Sequence, residues 1–139
     1  MYGKSLLRTV IVSSIFAGSV AVAAKAKVDV YSEFQKKITK MESDLKKEKD
    51  ADKRYDAFLQ SYKELSDLRA KNPRQAEEKE INMSLFMDTL SYLPEKKDFK
   101  AAQCPEYKKE VNSMMKSYAK DQKEPFVEKA QGIVDLICK

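Results

Sequence analysis

The residues of this chain best equipped for covalent chemistry are its two cysteines, Cys104 and Cys138, 34 positions apart. A redox-active pair is usually spaced as CxxC, so this wider spacing reads as a structural disulfide. Other nucleophiles lack the usual helper. The 139-residue chain contains no histidine, which removes Ser–His and Cys–His relays, the commonest metal ligand and the usual general base near neutral pH. Carboxylates cluster at Asp50 with Asp52 and at Glu77, Glu78 and Glu80, but among so many interleaved lysines they read as solvated helix surface. Asp50 and Asp52 begin like a calcium loop; Arg54 and Tyr55 then stand where an oxygen ligand and a turn glycine belong, and the match fails. Met83 with Met87, and Met114 with Met115, could offer thioethers to Cu(I). With neither histidine nor a free cysteine to help, core packing is the better account. Asn82-Met83-Ser84 spells a glycosylation sequon, but inside a helical pattern it reads as chance. The chain is therefore expected to be noncatalytic, with no catalytic, cofactor-binding or metal-ligating residues.

The N-terminus carries an address. Lys4 and Arg8 precede an uncharged stretch from Thr9 to Val22, and Val22-Ala23-Ala24-Lys25-Ala26 supplies small residues for a signal peptidase. The uncharged stretch has about 14 residues, against the roughly 20 that a helix needs to cross a bilayer. Residues 1–26 are thus expected to be a cleaved, bacterial-type signal peptide, leaving a periplasmic or secreted product with no membrane span. The leader also distorts the charge. The chain has 27 Lys and Arg against 22 Asp and Glu and a pI near 9.0, but Lys4, Arg8 and Lys25 fall within the leader, which has no acid. Removing those three leaves 24 against 22, with no basic cluster of the kind that phosphate backbones require. A nucleic-acid partner is not expected.

Residues 27–139 are expected to form one all-α domain, a small antiparallel bundle of four to five helices. After the leader the only glycine is Gly132, and Lys, Glu, Leu, Met and Ala favour helix over strand. Val28, Tyr31, Phe34, Ile38, Met41 and Leu45 recur every three or four residues along a first helix. Tyr55, Phe58, Leu59, Tyr62, Leu65 and Leu68 mark a second, ending near Lys71. Every residue between Leu45 and Tyr55 except Ala51 is charged, so the two could be a hairpin or one rod; a rod would leave its middle without a packed face, which favours the hairpin. A third helix is expected from Pro73 to Leu93, with Asn72 as N-cap and Gln75 closing a capping box. Glu95 to Gln103 reads as a loop with Phe99 turned inward. Pro105 opens a fourth helix along Tyr107, Val111, Met114 and Tyr118, and Asp121 to Glu124 makes a turn. Pro125 opens a fifth helix along Phe126, Ala130, Ile133 and Ile137, flanked by Val127 and Val134. Antiparallel pairing of the last two would set Cys104 beside Cys138, in a compartment where disulfides persist.

The third helix is apolar on two sides. Met83, Phe86, Met87, Leu90 and Leu93 share one face, and Ile81, Leu85 and Tyr92 form a second stripe nearly opposite. Such a helix is normally central in its bundle. The alternative makes Ile81, Leu85 and Tyr92 a candidate docking stripe for an unknown protein partner. The expected function is that of a binding or interaction protein, with a carrier of a small apolar ligand in a bundle cavity as the second reading. N-terminal sequencing of the exported product should begin at Lys25 or Lys27, because Ala24 and Ala26 each have a small residue two positions before them. Met1 retained on a membrane-bound product would refute export by this leader.

Overall fold

The structure is a computed structural model that describes residues 29–118 and 125–139, with Pro125 and Phe126 as backbone only. The expected leader, Val28, the turn expected over Asp121 to Glu124 and the Phe126 side chain lie outside the described residues. Five α-helices follow in order: α1 Val30–Lys47, α2 Ala51–Ala70, α3 Glu77–Leu90, α4 Cys104–Ser117 and α5 Pro125–Ile137. Two 3-10 turns, Lys96–Asp98 and Ala101–Gln103, connect α3 to α4. The described residues contain no strand, and none of these helices is long and apolar enough to cross a membrane.

Asp29 caps α1 by accepting the Ser32 backbone N–H at 3.2 Å. The stripe read from the sequence is the buried one: Phe34, Ile38, Met41 and Leu45 are fully enclosed. The charged run then holds a tight turn. Glu48 leaves the helix in an extended conformation, and Asp50 caps α2 by accepting the Lys53 backbone N–H at 2.9 Å. Helices α1 and α2 form the expected hairpin, with Lys37 3.5 Å from Glu64 across it. Tyr55, Phe58 and Leu65 of α2 are buried in the same cluster.

The α3 boundaries differ from the expectation. The helix starts at Glu77 behind Ala76, which offers no capping side chain, while Asn72 donates its amide back to the Leu68 carbonyl at 2.7 Å and closes the end of α2 instead. Residues after Leu90 turn away, so Tyr92 and Leu93 follow the helix rather than belong to it. The segment before α4 matches: Phe99 is buried and stacks on Tyr55, ring centroids 3.9 Å apart. Along α4, Met115 rather than Met114 joins Tyr107 and Val111 in the core. At about 100° per residue Met115 lies about 40° from Val111, and Met114 about 60° on the other side.

The central helix is α5, not α3. It packs against all four others, and Val127, Ala130, Ile133, Val134 and Ile137 are essentially inaccessible. Helix α4 lies antiparallel to it, with Cys104 and Cys138 at disulfide distance, Cα atoms 5.6 Å apart. One face of α5 still reaches solvent, and there a Cβ on Gly132 would meet nothing within 4 Å. Gly132→Ala should therefore stabilise the protein by about 0.5–1 kcal/mol, since the backbone freedom lost by glycine on folding is reduced with no steric cost. Urea denaturation checks this, and a lowered midpoint would contradict it.

Candidate functional site

The exposed large hydrophobic side chains of the described residues are Ile81 of helix α3, at 41%, and Tyr92, just past the end of that helix, at 52%. How it is fastened determines what it can present. Glu77, Glu78 and Glu80 occupy its first turn, where carboxylates favour the positive end of the helix dipole. Glu80 does most of the capping. Its Oε1 accepts the Gln75 backbone N–H at 2.7 Å, and its Oε2 lies 3.2 Å from an Arg69 terminal nitrogen that also donates to Ser84 Oγ at 2.9 Å. The expected capping box is thus displaced: Gln75 contributes its backbone, and the acid five residues on closes it.

Further along, hydroxyls from both neighbours hold α3. Tyr62 of α2 donates to the Met87 carbonyl at 3.2 Å. Thr89 Oγ1 donates to the Leu85 carbonyl and lies 2.8 Å from the Tyr118 hydroxyl. Burial, above all other causes, raises the pKa values of Tyr62 and Tyr118. The bonds of Thr89 let it be buried at 0% exposure; Asn82, which with Thr89 divides the two apolar stripes in the sequence, is buried at 4%. The flank containing them faces the bundle. The sequon is enclosed with it.

The proposed stripe does not survive as one surface. Ile81 and Leu85 line an open depression of about 510 Å³, together with Arg69, Arg74, Glu80 and Ser84. Tyr92 lines a separate depression of about 560 Å³ beside α4, with Lys109, Glu110, Met114 and Ser117. Leu85 is partly buried against the core. The reason is local: α3 ends at Leu90, and Tyr92 lies beyond the helical register that would have aligned it with Ile81 and Leu85.

Met83 and Met87 lie in the common core with Met115, while Met114 faces the second depression. Among the described residues no three His, Cys, Asp or Glu side chains converge. The acidic pairs act locally: Asp50 as a cap, Glu80 as a cap and ion-pair partner.

Sequence reasoning missed Arg54. It is 4% exposed, and its guanidinium donates to four backbone oxygens: Glu48 at 3.2 Å, Lys49 at 2.8 Å, Ile137 at 3.3 Å and Lys139 at 3.0 Å. These lie at or just beyond the C-terminal ends of α1 and α5. A signal was present: Arg54 precedes the buried Phe58 by four residues and therefore shares its face.

No family model, curated protein or solved structure matches this chain.

The α2–α3 clamp has a pH signature. The Gln75 backbone N–H first, and Arg69 after it, hold the Glu80 carboxyl below its ordinary 4.5. A carboxyl depressed in the folded state contributes stability that is fully present above the unfolded value and lost as pH falls through the folded one. Glu80→Gln should therefore lower stability at pH 7 and flatten its decline below pH 4.5. Parallel pH–stability curves for variant and parent, measured by urea denaturation, would contradict this.

Proposed function

We propose that this chain is an exported, noncatalytic helical protein that binds a protein partner through the exposed side of α3. The observation that carries the reading is the placement of Ile81 and Tyr92. Of the exposed large hydrophobics of the described residues, Ile81 lies near the start of α3 and Tyr92 just past its end, each beside a depression with a polar rim. Exposed apolar surface rimmed by polar residues is the pattern of contact sites. Export is supported by the tripartite leader in residues 1–26 and is compatible with the cysteine pair at disulfide distance. The noncatalytic reading is supported by the absence of histidine and by the structural partners that Glu80 and Asp50 already have.

Leu85 is the wrong residue with which to test a contact. It packs against the core, so Leu85→Asp would place a charge in a partly buried apolar position and destabilise the fold itself. Ile81 and Tyr92 are suitable. Ile81→Lys and Tyr92→Lys should each change stability by no more than about 0.5 kcal/mol, as surface substitutions usually do. A photo-crosslinking side chain at position 81 or 92, in protein exported by its own leader, should yield one discrete protein adduct. The same probe at solvent-facing Lys36 should not. Identical patterns at all three positions, or none at 81 and 92, would overturn the reading.

A further inference from the structure

Cys138 sits between the two residues whose backbone oxygens serve Arg54 from α5: Ile137 accepts from Nε at 3.3 Å and Lys139 from a terminal nitrogen at 3.0 Å. The other two acceptors, Glu48 and Lys49, belong to the α1–α2 turn. Lys139 Nζ also donates to the Lys46 carbonyl. We propose that the Cys104–Cys138 bond and the Arg54 clasp form one redox-linked latch. Oxidation fixes Cys138 and Lys139, so that the Lys139 carbonyl meets the buried guanidinium; reduction frees these two residues past the core residue Ile137, lets water reach Arg54 and loosens the end of α5 from the α1–α2 turn. The latch does not rest on the binding reading.

The coupling follows from what a buried cation requires. The bonds to Arg54 come from backbone oxygens, so its N–H groups depend on the positions of two chain segments. Losing the Lys139 carbonyl leaves a charged donor unmet unless water enters to replace it, a larger penalty than the gain from an ordinary hydrogen bond. Arg54 cannot easily leave either. It adjoins Tyr55, whose ring is held between Phe58 and Phe99 and whose hydroxyl donates to the Pro94 carbonyl. The tail is the movable half, and Cys138 is its covalent tether. The bond closes a 34-residue loop and so keeps the tail beside the start of α4 in every state that retains it.

The oxidant is a disulfide donor, either a protein disulfide or glutathione disulfide. One thiolate attacks it to give a mixed disulfide and release the first donor thiol. The second cysteine displaces the remaining donor thiol, so two electrons and two protons pass to the donor as the Cys104–Cys138 bond forms.

Linkage makes the latch measurable from either side: if the bond holds the clasp, the clasp holds the bond equally. The mature chain is equilibrated in mixtures of reduced and oxidised glutathione, quenched in acid, alkylated and weighed. Three forms are compared: the parent, Arg54→Met, and Leu65→Ala, which opens a cavity at a buried α2 position apart from the clasp. Arg54→Met should lower the equilibrium constant for the bond at least fivefold, with Leu65→Ala within twofold of the parent. Groups coupled through a shared stretch of backbone interact by roughly this amount. Hydrogen exchange on the reduced parent should show protection lost at the C-terminal end of α5 and kept in the α1–α2 hairpin. An unchanged constant in Arg54→Met overturns the latch. So do equal shifts in both variants, which would mean that the bond reports only global stability. If Arg54→Met does not fold, Arg54→Lys, which keeps the charge and loses the fork of donors, is judged by the same two criteria.

Discussion

A guanidinium at 4% exposure must have its donors met, and at Arg54 this requirement brings two distant parts of the chain to one place. Its partners are carbonyls at or just past helix C-terminal ends, Glu48 and Lys49 after α1, and Ile137 and Lys139 at and beyond the end of α5. Those ends also carry the negative pole of each helix dipole. One side chain therefore satisfies two helix ends while they satisfy it, and α1, α2 and α5 are fixed relative to one another at one end of the bundle. The cysteine pair adds α4 to the same end through Cys104.

From that anchored end, α5 runs through the middle of the molecule and supplies the apolar surface that the other four helices share. Helix α3 has a different place. Its better apolar face, Met83, Phe86, Met87 and Leu90, packs inward, while Tyr62, Thr89 and Tyr118 hydroxyls secure its flank to α2 and α4. Hydroxyls aimed at helix carbonyls let polar positions be buried without orphaned groups. The side left over carries Ile81, and the chain past the helix end carries Tyr92. A two-faced helix at the periphery, held by its neighbours and showing isolated apolar side chains to solvent, has the layout of a contact element. Here fold and proposed function meet.

Much of this was legible from residue spacing. The hairpin, the buried stripe of α1, the inward turn of Phe99, the apolar face of α5 and the pairing of Cys104 with Cys138 all rest on local periodicity, on prolines at helix starts, or on antiparallel neighbours. The site was legible only in part. Ile81, Leu85 and Tyr92 stood out as a second apolar stripe, but the separation of Ile81 and Tyr92 into two depressions, with Leu85 at the core's edge, depends on where α3 stops. Nothing within Ser91-Tyr92-Leu93 forces a stop before Pro94.

The sequence by itself determined that the chain is helical, where most helices lie and which side of each is apolar, because a 3.6-residue repeat is set by residues a turn apart. Only the tertiary structure decided that α5 rather than α3 is central, that Asn82 and Thr89 are buried, and that one arginine in a charged run is enclosed while its neighbours are solvated. Those outcomes depend on which surfaces meet across the chain, between positions as far apart as Arg54 and Lys139. A lone charge on an apolar face becomes tolerable only when another element brings acceptors to it.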